Sequence, residues 1–205
     1  MTRTLIATSI ILLVAVFAFA RLTHGFSVLT AEAARREAVA AVPIRLPALW
    51  GIDQAGRRRA LFDQAEGRAV IVDFIFTRCT SICSAAGNSY QQLQADIQAA
   101  HLEHTVRLVT VSFDPEHDTP AVIASYARYL RADPDIWTVL SPLDSATLRR
   151  SLAVFGVVRV PAADGQFIHN TAFHVIDRHG RLARIIDIGQ PRKALAVARQ
   201  LSNVS

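Results

Sequence analysis

Apolar and polar positions along this chain change period sharply from one short segment to the next. The stretch "AVIVDFIF", residues 69–76, is a near-continuous apolar run rich in β-branched side chains, which predicts a central strand buried on both faces. "TVRLVTVSF" and "IWTVLS" predict a second and a third buried strand. Between them the period lengthens. Tyr90, Leu93 and Ile97 fall at helical spacing and predict a helix from about Ser81 to Ala100. "AVIASYARYLRA" predicts another, opened by Thr119 as N-cap and Pro120 in the first helical position. "DSATLRRSLAVFG" predicts a third that Gly156 closes. The piece "VVRVPAADGQFIHN" shows neither period and reads as irregular. After it, "TAFHVID" and "RLARIIDI" alternate around the turn Arg178-His179-Gly180 and predict a hairpin, and a last helix runs from Pro191 to Leu201. Upstream, "IRLPALWGIDQAGRRRALFD" has short alternating segments around a turn at Gln54 to Gly56, which predicts a hairpin entering the domain.

Strand–helix alternation followed by a hairpin and a helix places residues 44–205 in the α/β class, as a thioredoxin-like sandwich with a central mixed sheet flanked by helices. That order has a geometric consequence. Loops leaving parallel strands at Phe76 and Phe113 emerge at one sheet edge, where ligands of open α/β sheets bind. If "TAFHVID" runs antiparallel to them, its beginning meets the same edge. Cys79, Cys83, Asp114 and His169 then converge from distant parts of the chain.

The N-terminal pattern differs. An uncharged stretch from Leu5 to Ala20, bounded by Arg3 and Arg21, predicts a membrane anchor or a signal segment over residues 1–21. Ala18 and Ala20 form an A-x-A pattern, so cleavage after Ala20 is one reading and a retained single span in the inner membrane is the other. Either exports the remainder of the chain, and Arg3 leaves the domain on the periplasmic or extracytoplasmic side. Residues 22–43, rich in alanine and charge, read as a tether. The net charge of +5 comes from scattered basic residues with one run, Arg57 to Arg59, which reads as a solvated face and not as a nucleic-acid surface.

The chain spends its only two cysteines at Cys79 and Cys83. A structural disulfide across so short a loop removes little chain entropy. A position at the start of a helix stabilises thiolate, which suits either a redox pair or a metal clamp. Three intervening residues leave room for both sulfurs to face one ion. Thiolates and an imidazole suit Cu(I) and can hold Cu(II) or Zn(II). Of the histidines, His24 lies in the tether, His101 and His104 lie beyond the far end of the helix, and His179 sits in the hairpin turn at the opposite edge. His117 is nearer, in a loop. His169 and His174, five apart, point to opposite faces of an unbroken strand; His169 is at its start and is the better ligand candidate, and His174 reads as a core residue. Asp114 is either a turn-former before Pro115 or a group that orients a ligand or meets a docked partner.

Together, "VDFIFTRCTSIC" before a helix, "SFDPEHDTP" and "HNTAFHVIDRHGRL" resemble, in order, the motifs of the Sco/SenC family of membrane-anchored, thioredoxin-fold copper proteins, over about residues 44–200. The resemblance implies one copper, Cu(I) or Cu(II), bound through Cys79, Cys83 and His169, with Asp114 at the family's recurring acidic position. It implies a metallochaperone that helps build the binuclear copper centre of cytochrome c oxidase subunit II, or serves another exported copper protein. The chain departs from the family at Thr80 and Ser84, where proline commonly follows each cysteine, and at Ile168, where an acidic residue commonly precedes the histidine. An exported thiol-disulfide oxidoreductase, in which Cys79 attacks and Cys83 resolves, and a non-catalytic interaction domain are the other readings.

Overall fold

The computed structural model describes residues 8, 10–16, 30–60, 67–79 and 82–203, without the side chains of residues 82–86 and 163. The chain divides into two compact units, Met1–Val42 and Pro43–Ser205. In the first, helix α1 (Ala31–Ala41) starts at Thr30, whose hydroxyl accepts a hydrogen bond from the Ala33 N–H at 3.1 Å. Among the described residues no helix is long and apolar enough to cross a membrane. Most of the expected anchor, and residues 22–29 of the expected tether, lie outside the described residues.

The second unit is built on one eight-stranded sheet, formed by β1 (Ile44–Arg45), β2 (Trp50–Asp53), β3 (Arg58–Ala60), β4 (Ala69–Ile75), β5 (Val106–Ser112), β6 (Trp137–Pro142), β9 (Ala172–Ile176) and β10 (Arg181–Asp187). Its spatial order is β1-β10-β9-β4-β5-β6-β2-β3. Strands β4, β5 and β6 are parallel; β9 and β2 join them antiparallel on either side, and β10 pairs antiparallel with β9. Every residue of β4 is buried, as a continuous apolar run in mid-sheet requires. Alternation then sends its side chains to two layers. Ile71 joins Tyr90, Leu93 and Ile97 of α2 (Ile82–Ala99), Ile123 and Ala127 of α3 (Pro120–Tyr129), and Ala194 and Ala198 of α5 (Pro191–Asn203) in one cluster. Phe74 points to the other layer. There its ring meets Phe155 of α4 (Ser145–Phe155) at 5.1 Å and His174 of β9 at 5.8 Å. His174 is thus the core residue its position suggests, with Nε2 at 3.1 Å from the Phe155 carbonyl. Gly156 ends α4 in the left-handed region at φ 61°, a conformation glycine adopts without steric cost.

The hairpin expected around Gln54–Gly56 is β2–β3, and the arginine run has a use in it. Arg57 and Arg59 each place Nε 3.0 Å from the buried Asp53 carboxylate, while Arg58 lies over the Trp50 ring. The charges tie a hairpin to its own turn.

One expectation is corrected. The piece read as irregular folds into a second, two-stranded sheet, β7 (Arg159–Pro161) against β8 (Phe167–His169), joined through a short 3-10 turn at Ala163–Gly165. His169 therefore ends β8 instead of starting the strand that carries His174. Strands of three residues are too short to show a period of two, and Pro161 and Gly165 read as breakers. What holds them is tertiary contact: the Phe167 ring meets Phe76 at 5.3 Å and Phe113 at 5.7 Å, just past the ends of β4 and β5.

Candidate functional site

Strands β4 and β5 end side by side, and the loops that leave them are fastened together by one carboxylate. Asp118, fully buried, accepts from the Thr77 N–H at 3.1 Å, from the Thr77 hydroxyl at 2.5 Å and from the Ser112 hydroxyl at 2.5 Å. Thr77 opens the loop that leads to Cys79, so the cysteine's backbone starts from a fixed point. The Cys79 N–H donates to the Phe76 carbonyl at 3.3 Å, and its side chain is half-buried. Cys83 falls in the first turn of α2; its side chain lies outside those described.

Arg78, directly before Cys79, reaches the same rim. Its Nη2 donates to Asp114 Oδ2 at 2.8 Å and lies 3.0 Å from His117 Nδ1, while His117 Nδ1 lies 3.1 Å from Asp114 Oδ1. Asp114, nearly buried, thus holds a guanidinium and an imidazole. His117, expected in a plain loop, is tied down by this network. A cleft of about 430 Å³ opens here, lined among others by Arg78, Asp114, His117, Arg149, Arg159 and Phe167.

The third group comes from the small sheet. His169 packs its ring against Phe113, centroid to centroid 4.8 Å, and Phe76, 6.1 Å. Its Nδ1 is 3.1 Å from the Asn170 carbonyl, which accepts a hydrogen bond there and so leaves the lone pair on Nε2. Nε2 is buried and has no hydrogen-bond partner among the described residues. Burial lowers the pKa of the ring, against a smaller opposing effect of the bond to Asn170, and keeps the imidazole neutral at neutral pH. A half-buried, neutral imidazole with a nitrogen lone pair that no described residue uses is what a soft or borderline cation needs from a histidine.

Of the residues singled out from the sequence, Cys79, Asp114 and His169 sit at one rim of the sheet, with Cys83 in the adjoining helical turn. Among the described residues no group of three or more His, Cys, Asp and Glu side chains stands close enough together to hold a metal. His101 and His104 follow the end of α2, and His179 occupies the turn between β9 and β10. His24 lies outside the described residues. Sequence reasoning missed Arg78, Thr77, Asp118 and Arg159. Asp118 lies within the quoted "SFDPEHDTP", but an aspartate just before Thr119-Pro120 looks like a helix-start residue, and only the fold reveals its partners.

A family model described as SCO1/SenC matches residues 51–203. The chain belongs to that family. This SCO1/SenC protein is 27% identical over 134 residues to the SCO1 protein homolog of Bacillus subtilis, across 64% of this chain and 68% of that one. Its fold matches a SCO1/SenC family lipoprotein from Bacillus anthracis with a TM-score of 0.70 at 23% identity, covering 79% of this chain and 98% of that one. It also matches ScoI from Bradyrhizobium japonicum, a structure with copper bound, with a TM-score of 0.59 at 25% identity, covering 77% and 99%. The mixed α/β thioredoxin-like fold expected from the element order stands. The family is that of cytochrome c oxidase assembly and copper-binding proteins.

Proposed function

We propose that this SCO1/SenC protein is an exported copper metallochaperone whose cargo is one copper ion, Cu(I) or Cu(II), held by the thiolates of Cys79 and Cys83 and by Nε2 of His169. The observation that best supports it is the His169 ring: neutral, tautomerically fixed by Asn170, and left with a buried nitrogen that no described residue uses. The copper-bound ScoI relative supports the choice of ion. Asp114 contributes by holding Arg78 next to Cys79. A site at the rim of the sheet lets a client's ligands displace the protein's own one by one, and the binuclear copper centre of cytochrome c oxidase subunit II is the client the family suggests. The apolar N-terminus anchors the domain in the inner membrane on its outer side, in keeping with the lipoprotein relative.

Copper titration of the reduced full-length chain tests this reading. The wild type takes up one equivalent, and Cys79→Ser, Cys83→Ser and His169→Ala each lose about 100-fold or more in affinity, because each removes a ligand. Wild-type binding by all three variants refutes it. The competing reading is a thiol-disulfide oxidoreductase. There the Cys79 thiolate attacks a client disulfide, and Cys83 then displaces the reduced client while the pair oxidises. That reading predicts that His169→Ala keeps full disulfide-reducing activity.

A further inference from the structure

Resting on that copper reading, we propose that Arg78 is a positioning residue: it clamps the loop bearing Cys79 to the β7–β8 hairpin bearing His169, and so sets how far the imidazole stands from the sulfurs. Three contacts carry this. The Arg78 side chain is fixed at its tip by Asp114 Oδ2, 2.8 Å away. Its flank lies on the turn of the hairpin, where a Cβ added to Gly165 would stand 3.0 Å from Nη1. Gly165 is at φ 68°. The Arg78 carbonyl accepts from Gln166 Nε2, next to that turn, at 3.2 Å. Residue 78 therefore grips the hairpin with both main chain and side chain, one position before the first candidate ligand.

The hairpin is slight. Its strands are three residues each, and Val158, Val160 and Ile168 are exposed. Its other fastenings among the described residues include the Phe167 and His169 rings against Phe76 and Phe113, Arg159 Nη1, which donates to the Phe113 carbonyl at 2.7 Å, and the Asn170 amide, which accepts from the Val158 N–H at 2.8 Å and donates to the Gly156 carbonyl at 2.9 Å. These bind the hairpin to the sheet and to the end of α4, whereas Arg78 binds it to the cysteine loop itself. A lysine does not fully replace it, because one ammonium lacks the planar guanidinium that reaches Asp114 through Nη2 while Nη1 faces Gly165.

Arg78→Ala and Arg78→Lys in the full-length chain test the clamp. In the metal-free protein, Arg78→Ala speeds hydrogen exchange of the hairpin amides by about tenfold and leaves the amides of β4 and β5 at wild-type rates, as expected for a local opening. Copper affinity falls by about tenfold to 100-fold, with weakened histidine nitrogen hyperfine coupling in the Cu(II) spectrum. Arg78→Lys falls between Arg78→Ala and wild type. Unchanged hairpin exchange, exchange raised throughout the sheet, or wild-type copper affinity and hyperfine coupling in Arg78→Ala overturns the proposal. If the wild type binds no copper, the metallochaperone reading fails, and the exchange data still decide whether Arg78 is the clamp.

Discussion

Two regions of this protein each bury an aspartate, and they treat it in opposite ways. Asp118, at the rim, has no exposed surface and receives three donors, from the Thr77 backbone and hydroxyl and from Ser112. Asp73, in the middle of β4, is only 3% exposed and has one carboxylate oxygen without a hydrogen-bond partner among the described residues. Burial pushes its pKa up to about 7, and the neighbouring Thr110 and Tyr90 hydroxyls offset only part of that. Burial alone thus does not decide what a carboxyl does; the number of donors around it matters as much. At the rim a carboxylate is used as a fastener between two loops, while in the sheet interior an acid is kept close to its protonated form.

The largest effect that tests this contrast is on pH dependence. The Asp73 carboxyl is raised in the folded protein, so its contribution to stability is fully present below about pH 4 and is lost as pH rises through about 7. Chemical denaturation at about pH 4.5 and about pH 8 will show a fall on the order of 3 kcal/mol from this group. Asp73→Asn removes the titration, so the variant overtakes the wild type above neutral pH. Parallel stability profiles for the two proteins would mean that Asp73 does not hold a proton in the core.

Next comes the rim. Asp118→Ala leaves the Thr77 N–H and the Ser112 hydroxyl buried without an acceptor and costs about 3 kcal/mol in urea unfolding. A loss below about 1 kcal/mol would show that water replaces the carboxylate and that the loops are not fastened through it. Thr77→Val is the mildest change. It removes one of the three donors while keeping shape, and should cost about 1.5 kcal/mol, since the bond is to a carboxylate. A cost as large as that of Asp118→Ala would place the whole fastening on this one hydroxyl.

The same contrast separates what could be read in the sequence from what could not. The strands β4, β5 and β6 and the helices between them were legible because each buries a long, periodic apolar face, and patterning reports such burial directly. Cys79, Cys83 and His169 were legible as candidates because sulfur and imidazole chemistry is restricted to few residue types. The β7–β8 hairpin was not. Its strands are too short for periodicity, and its stability comes from Phe167 and His169 meeting Phe76 and Phe113, contacts between distant parts of the chain. The roles of Arg78, Thr77 and Asp118 were hidden for the same reason: hydrogen bonds between residues 41 and 36 positions apart leave no trace in local pattern. Asp73 was hidden by its neighbours, a single acid inside an apolar run.

Among the described residues, the outermost strands of the eight-stranded sheet are two and three residues long, Ile44–Arg45 and Arg58–Ala60. Such stubs expose few free amide and carbonyl groups to an approaching chain, and Arg45, Arg58 and Arg59 place like charge along both margins. A second copy of the molecule arriving edge-on would find a short template and a repelling field, so sheet extension into fibres is disfavoured from both sides.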